Sequence, residues 1–391
     1  MIGIFNRRFF TQLYTWGNSS SSLGHEKSAT INSITLPKLL EFSEPVKKCV
    51  LGPSHSAILT ESGDVYTFGN GNYGTLGHNS EDKVVLPKKV EGLSKMDLRA
   101  VDVAIGNYHT VIATDEGDVF TMGYGGELSG GFFRNFFSQK GGGLGHGDLD
   151  NRFVPTLVQS IRDSSEKIVS VSAGAYHSLA LSEKGVVFSW GKGEMGVLGT
   201  GKNKTYLSPH PISLFNLLRE KGMTVKKLQT HNYSNIALLN NGKVVCWGWN
   251  EVGQLALGNY VRADMYDTES KPVEPEFFSE RQVKDFELGE DASIFLTEDN
   301  KVFFAGIRLY REPKELTVPA GSTVKKIFVC KKVGGFITDD NKVYANGNLF
   351  NSKFMEEDVE LRMWKVKNSA FNDLVVEDIG GGSGNHYCLL R

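Results

Sequence analysis

Histidine is the residue type in this sequence that first suggests chemistry. The chain has nine histidines among 391 residues, and three occur in a Gly-x-x-His frame, in GPSHSAIL, GNYHTVIA and GAYHSLAL: His55, His109 and His177. Three more follow a Leu-Gly pair: His25, His78 and His146. Imidazole is a common metal ligand, but a zinc site needs ligands that converge on one point. Because these histidines are spaced by a repeat, we predict buried polar side chains that fix turns by hydrogen bonds, and no bound metal.

Two glycine-rich stretches resemble nucleotide-binding loops. GNGNYG (69–74) and GKGEMG (191–196) fit the G-x-G-x-x-G pattern of dinucleotide sites. Such a site requires a helix to begin at the turn, and no amphipathic pattern follows either stretch. GVLGTGKN (196–203) is one residue from a phosphate-binding loop, but Asn203 stands where a Ser or Thr would bind magnesium. We interpret all three as structural turns and predict no cofactor.

No grouping of side chains in the sequence predicts catalysis. No Ser-His-Asp, Cys-His or paired-carboxylate pattern stands out beyond chance spacing, so we predict no catalytic residues and a protein that is not an enzyme. The four cysteines contain no Cys-x-x-Cys pair, which argues against a zinc finger or a disulfide framework and fits a reducing compartment. They are Cys49, Cys246, Cys330 and Cys388.

A Val-Lys-Lys triplet recurs at equivalent positions of a sequence repeat. Its lysines are Lys47–Lys48, Lys226–Lys227 and Lys325–Lys326. Lysines at a strand start commonly solvate it and blunt its edge. A nucleic-acid patch is the alternative, which the formal net charge of −2 disfavours.

All these residues belong to a repeat that runs through the chain. A strand-like stretch that ends in glycine, such as VYTFG or VFSWG, recurs seven times, with its glycine at Gly17, Gly69, Gly123, Gly191, Gly248, Gly306 and Gly347. In later repeats, the position of the Gly-x-x-His histidine is occupied by Ser234, Ala292 and Val333. Short alternating strands within a repeated unit indicate small antiparallel sheets that pack against their neighbours. We predict an all-β fold, a seven-bladed β-propeller.

The two ends of the chain complement each other. The chain begins with a glycine-ending strand, LYTWG, and finishes with GGGSGNHYCLLR, a turn followed by His386 and a strand. We predict that the N-terminal strand closes the last blade, because this pairing removes two open strand edges.

The repeats resemble those of the regulator-of-chromosome-condensation family. AIGNYHTVIATDEGDVFTMG and SAGAYHSLALSEKGVVFSWG match the family pattern closely, while the histidine and the Leu-Gly-His turn are lost from Ser234 onward. The resemblance implies one propeller domain over residues 13–391. It also implies three alternative functions. The first is an interaction scaffold, as an accessory subunit or assembly factor of a mitochondrial respiratory-chain complex or ribosome. The others are a guanine-nucleotide exchange factor for a small GTPase and a tubulin- or translation-linked cytosolic adaptor.

The first 12 residues differ from the rest of the chain. MIGIFNRRFFTQ carries Arg7 and Arg8, and the first acidic residue is Glu26. A basic start without acidic residues is typical of mitochondrial targeting segments, so we expect a mitochondrial location, with the cytoplasm as the alternative. No run of about 18 apolar residues occurs, so no transmembrane helix is predicted.

Three segments interrupt the repeat: residues 127–142, 259–280 and 348–370. The first of them carries Phe132, Phe133, Arg134, Phe136 and Phe137. Four exposed phenylalanines are costly in water, and large apolar patches tend to mark contacts with proteins or membranes. We expect this segment to contact protein subunits of a larger complex or a membrane surface, and we expect no nucleic-acid partner. The alternative is that it folds back over the propeller itself.

Overall fold

The structure is a computed structural model. It describes residues 12–18, 22–25, 34–40, 42–128, 139–258, 267–348, 353–354, 364–365, 375–382 and 384–390. Two strands near the N-terminus, β1 (Gln12–Gly17) and β2 (Ile34–Leu40), pair with each other. They belong to the blade that closes the molecule.

Five four-stranded antiparallel sheets follow in chain order. The first blade contains β3 (Val46–Leu51), β4 (His55–Thr60), β5 (Val65–Gly69) and β6 (Val84–Lys89). The second contains β7 (Ala100–Ile105), β8 (His109–Thr114), β9 (Val119–Gly123), an inserted ribbon of β10 (Gly126–Leu128) and β11 (Gln139–Gly141), and β12 (Arg152–Leu157). The third contains β13 (Ile168–Ala173), β14 (His177–Ser182), β15 (Val187–Gly191) and β16 (Tyr206–Pro211). The fourth contains β17 (Val225–His231), β18 (Ser234–Leu239), β19 (Val244–Trp249) and β20 (Thr268–Val273). The fifth contains β21 (Val283–Leu288), β22 (Ala292–Thr297), β23 (Val302–Gly306) and β24 (Tyr310–Leu316).

The last two blades are joined in one eight-stranded sheet. The sixth contains β25 (Val324–Cys330), β26 (Val333–Thr338), β27 (Val343–Ala345), a ribbon of β28 (Gly347–Asn348) and β29 (Lys353–Phe354), and β30 (Trp364–Lys365). The seventh contains β31 (Val376–Gly382) and β32 (Asn385–Leu390), followed by β1 and β2. Cys330 and Gly381 form the parallel bridge between the two blades. The predicted seven-bladed propeller, closed by the N-terminal strand, is confirmed.

The hydrophobic core is divided among the seven gaps between neighbouring blades. Each gap holds its own cluster of buried apolar side chains. Short connecting helices add one large side chain each to three of the gaps: α1 (Glu91–Ser94) adds Leu93, α2 (Gln159–Asp163) adds Ile161 and α3 (Ser213–Glu220) adds Phe215. Stability therefore depends on contacts between neighbours, as in other repeat proteins.

The outermost strands leave one edge of each blade open. Six of these strands carry a proline: Pro37, Pro87, Pro155, Pro209, Pro272 and Pro313. Proline has no N–H to donate and is therefore confined to sheet edges, where it discourages pairing with another chain.

Two of the predicted insertions contain parts of the propeller. The polar loop predicted at 259–280 differs from the structure after residue 267, because Thr268–Val273 is the outer strand of the fourth blade and Phe278 is buried. Within 348–370, Trp364–Lys365 is the outer strand of the sixth blade. The first strand, TESKPV, is mostly polar and contains a proline, and the second has two residues, so neither shows the alternation that marks a strand in sequence. Both were therefore predicted as parts of insertions.

Candidate functional site

The Gly-x-x-His histidines begin the second strands of the first three blades, and each reaches the next blade. Nε2 of His55 lies 2.9 Å from Thr110 Oγ1, and Nε2 of His109 lies 2.9 Å from Ser178 Oγ. Nε2 of His177 lies 2.9 Å from Oδ1 of Asn235. Each partner stands one residue after the histidine position of the following blade. The repeated histidines thus connect the blades in series.

The partner side chains extend this connection to the backbone. Thr110 donates to the Thr75 carbonyl at 2.9 Å, and Ser178 donates to the Gly143 carbonyl at 2.8 Å. Since these hydroxyls donate there, they accept from the imidazole N–H. Each carbonyl immediately precedes the Leu-Gly turn of the previous blade. In the third case the Asn235 amide takes the place of the hydroxyl and donates to the Val197 carbonyl at 3.1 Å. We call this arrangement of a histidine, a partner side chain and a carbonyl the interblade latch.

The histidines of the Leu-Gly-His turns have a different role, within their own blade. Nε2 of His78 lies 3.0 Å from Thr67 Oγ1, and that hydroxyl donates to the Leu76 carbonyl at 2.7 Å. His25 and His146 make the same contact with Thr15 and Thr121. The turn is therefore fixed to the third strand of its blade.

Burial keeps the latch histidines neutral. Desolvation lowers the pKa of His55 and His177 to about 4, and desolvation, with the neighbouring histidines, lowers that of His109 to about 3. A neutral ring offers one donor and one acceptor, as the latch requires. The prediction that the repeated histidines are hydrogen-bonded structural side chains is confirmed: the Leu-Gly-His histidines fix turns, whereas the latch histidines join neighbouring blades.

The glycine-rich stretches form tight turns. Both G-x-G-x-x-G stretches end in a single 3₁₀ turn, Asn72–Gly74 and Glu194–Gly196. In the stretch that resembles a phosphate-binding loop, Oδ1 of Asn203 accepts from the Gly196 N–H at 2.9 Å. Within the described ranges, no three metal-ligating side chains come together, and no helix could span a bilayer.

All three predicted insertions begin at the same face of the propeller. They follow the third strand of the second, fourth and sixth blades: β9, β19 and β27. The third strand ends where the second begins, as the pairing of His109 with Gly123 shows. We call this side the insertion face. The stretch between β1 and β2 begins there as well.

A two-stranded ribbon carries the phenylalanine segment on this face. In the register of the ribbon the backbone of Glu127 lies opposite that of Lys140. At the base of the ribbon, the Gly142 N–H donates to the Gly125 carbonyl at 2.7 Å. The predicted contact residues Phe132, Phe133, Arg134, Phe136 and Phe137 lie outside the described residues. The ribbon fixes where their segment leaves the propeller.

Four tyrosines cluster beside the ribbon, because one of them, Tyr124, lies just before the ribbon in the chain. The rings of Tyr124 and Tyr73 are 4.8 Å apart, and those of Tyr124 and Tyr108 are 6.2 Å apart. Tyr108 stacks on Tyr176 at 5.5 Å and is 38% exposed. We call these four residues the tyrosine cluster. Tyrosine is enriched in protein interfaces because its ring adds contact area at a small entropic cost.

The charges around the tyrosine cluster favour binding over acid–base chemistry. Lys192 Nζ lies 5.6 Å from the Tyr176 ring centroid and 2.7 Å from a carboxylate oxygen of Glu194. Burial and the neighbouring tyrosines raise the pKa of Tyr176 to about 12, so its hydroxyl stays protonated at neutral pH. The surface therefore presents aromatic faces and, at Tyr176, a neutral hydroxyl.

A model of the RCC1-like domain matches residues 12–389. This chain belongs to the RCC1-like domain family. RCC1 stands for regulator of chromosome condensation, so the resemblance seen in the repeats is confirmed. Two RCC1-like relatives come from Arabidopsis thaliana. The ultraviolet-B receptor UVR8 is 27% identical over 296 residues, which are 75% of this chain and 60% of UVR8. The mitochondrial RCC1 domain-containing protein RUG3 is 27% identical over 300 residues, which are 75% of this chain and 61% of RUG3.

Solved RCC1-like structures share the fold. Prp20p of Saccharomyces cerevisiae has a TM-score of 0.77 at 20% identity over 97% of this chain and 91% of that chain. Human WBSCR16 has a TM-score of 0.75 at 21% identity over 97% of this chain and 99% of that chain.

The tyrosine cluster is the part of this RCC1-like surface that the sequence analysis missed. Tyr108 and Tyr176 directly precede latch histidines, in GNYH and GAYH, so a repeated signal was available. Tyr73 and Tyr124 come from loops of neighbouring blades. Only the radial packing of the blades brings all four rings together.

Proposed function

We propose that this chain is a non-enzymatic scaffold that binds protein partners through its insertion face. It would serve as an accessory subunit or assembly factor of a large mitochondrial complex, either a respiratory-chain complex or the mitochondrial ribosome. The observation that carries the proposal is that the non-repeat segments begin at the face that carries the tyrosine cluster. Loops added to a rigid scaffold are where function usually lies.

The mitochondrial part of the proposal draws on two observations. Residues 1–12 are basic and contain no acidic residue. RUG3, a relative at 27% identity, is a mitochondrial protein. A reporter fused after residue 30 should therefore be imported into mitochondria, and a reporter that stays in the cytosol would contradict this part of the proposal.

The phenylalanine segment supplies the partner contact in this proposal. Burying a phenylalanine side chain contributes roughly 1.5–3 kcal/mol, so burial of all four against a partner would anchor a stable complex. The contact residues would be Phe132, Phe133, Arg134, Phe136 and Phe137. A membrane surface is the alternative target.

Affinity purification of the full chain from mitochondria in mild detergent, followed by mass spectrometry, tests the proposal. The variant carries Phe132→Ser, Phe133→Ser, Phe136→Ser and Phe137→Ser. We expect partner recovery to fall at least about tenfold while the melting temperature is unchanged, because the segment is an insertion in the repeat sequence.

A matched control replaces four exposed apolar side chains elsewhere: Leu86→Ser, Met96→Ser, Val154→Ser and Leu217→Ser. This control should recover the partners as the unmodified chain does. Equal recovery with the phenylalanine variant would refute the proposed contact, and loss of folding in that variant would show that the segment packs on the propeller. Binding to protein-free vesicles would favour the membrane alternative.

Guanine-nucleotide exchange is the second candidate. The structure of Prp20p was described together with its binding to Gsp1p and histones. At 20% identity this similarity carries only the fold. Copurification of a small GTPase whose nucleotide release the purified chain accelerates would replace the scaffold proposal with exchange.

A further inference from the structure

A β-bulge recurs at one position in the innermost strand of all seven blades. In every blade, the pairing between the first and second strands leaves out the second residue of the first strand. These residues are Lys47, Val101, Val169, Lys226, Lys284, Lys325 and Glu377. A bulge twists the strand and redirects the side chain of the extra residue. Four of the seven bulge residues are lysines, and one is acidic.

The four bulge lysines lie on the face opposite the insertion face. The innermost strands begin on that face and end at the insertion face. All four lysines are exposed. Lys47 Nζ donates to the Val101 carbonyl at 3.0 Å, whereas Lys226, Lys284 and Lys325 form no ion pair with any residue that the structure describes. We call these four residues the lysine ring.

The fold uses the second lysine of each Val-Lys-Lys triplet, not the first. Lys48 pairs with Asp102 at 2.7 Å and Lys326 with Asp378 at 2.7 Å. Lys227 pairs with Asp285 at 2.8 Å. Each pair links neighbouring innermost strands around an axial cavity of about 440 Å³. Among the lysines beside them, Lys47 also links two innermost strands through the Val101 carbonyl. Lys226 and Lys325 form no such ion pair with a described residue, so packing alone does not explain them.

An acidic rim, with a net negative charge, lies outside the lysine ring on the same face, in five of the seven blades. The turns between second and third strands of these five blades carry three exposed lysines, Lys184, Lys301 and Lys342, and eight exposed acidic residues: Glu61, Asp115, Glu116, Glu183, Glu298, Asp299, Asp339 and Asp340. Charges repel within a Debye length of about 8 Å at physiological salt. Duplex DNA or an anionic bilayer would lie across this rim and be repelled, whereas a narrow anionic chain reaches the centre without touching it.

We propose that the lysine ring binds an acidic polypeptide segment of a partner at the propeller axis. The ring supplies four exposed lysines at the starts of the innermost strands, which line the axial cavity, and the rim selects for a narrow ligand. This contact is separate from the insertion face, so the chain would bridge two partners on opposite faces.

Fluorescence anisotropy with a labelled decaglutamate peptide and the full chain tests this proposal. The ring variant carries Lys226→Glu, Lys284→Glu and Lys325→Glu. We expect it to bind the peptide about tenfold more weakly, as loss of three exposed charge pairs predicts. Binding by the unmodified chain should weaken as salt rises.

The matched control carries the same charge change at exposed lysines off the ring: Lys202→Glu, Lys221→Glu and Lys314→Glu. It should bind within about twofold of the unmodified chain, since these lysines lie away from the axis. Equal weakening in both variants, or no binding by the unmodified chain, would overturn the proposal. Tighter ring-dependent binding of duplex DNA or of phosphatidylserine vesicles would overturn the choice of a peptide. If the ring variant fails to fold, the variant with alanine at the same three lysines is measured instead. The same binding results then support or overturn the proposal.

Discussion

At the scale of single residues, the chemistry of this chain lies in hydrogen bonds that join blades. Ser178 and Ser293 occupy the same position in the third and fifth blades, but only Ser178 is in a latch. The preceding blade supplies His109 to Ser178. For Ser293 it supplies Ser234, whose side chain is shorter than a histidine, and no described atom bonds the Ser293 hydroxyl.

The same change, serine to alanine, can therefore be made at both positions, with Ser293 as the control for Ser178. Ser178→Ala should lower the free energy of unfolding by about 1–3 kcal/mol, because it leaves the buried His109 ring without its hydroxyl partner. The Gly143 carbonyl keeps a donor in this variant, the Trp190 indole N–H at 2.8 Å. Ser293→Ala should be neutral or slightly stabilising, since a buried hydroxyl without a partner is unfavourable. Urea denaturation of both variants measures the difference. Equal losses would show that the latch adds no stability.

At the scale of elements, the closing strand β1 holds together more of the fold than its own residues. It pairs with both β32 and β2, and its side chains Leu13 and Trp16 are buried in two different gaps. The seventh blade therefore joins the first and last parts of the chain. Unlike an internal blade, it depends on a strand at the N-terminal end.

Deleting residues 1–17 should lower the free energy of unfolding by more than about 5 kcal/mol. The deletion opens the edge of β32 and leaves a cavity in place of a buried tryptophan and leucine. Deleting only residues 1–11, which precede β1, should leave the melting temperature unchanged. Thermal unfolding followed by circular dichroism compares the two. An unchanged melting temperature in the longer deletion would contradict closure by this strand.

At the scale of the whole molecule, the histidines couple stability to pH. Burial lowers the pKa of eight of the nine histidines. Their folded pKa lies below the unfolded value of 6.5, so the unfolded chain binds more protons in acid. Their contribution is fully present above pH 6.5 and is lost as the pH falls toward about 4.

The free energy of unfolding should therefore fall below pH 6.5 with a slope above about 1.4 kcal/mol per pH unit, the value for one proton. Denaturant unfolding at a series of pH values measures the slope. In His177→Gln the slope should decrease by about one proton. A flat profile between pH 6.5 and 4.5 would mean that the histidines titrate in the folded chain.

The sequence by itself determined the repeat, the seven blades, their closure and the structural role of the histidines. Strand alternation, turn glycines and repeat phase are local properties, so they can be recognised before the chain is folded. The outer strands Thr268–Val273 and Trp364–Lys365 were missed because the first is mostly polar with a proline and the second has only two residues, so neither shows strand alternation. Radial packing decided the rest. It places each blade beside residues of the next blade, so only the tertiary structure could assemble the tyrosine cluster, assign Lys48 to Asp102 and leave the bulge lysines at the axis.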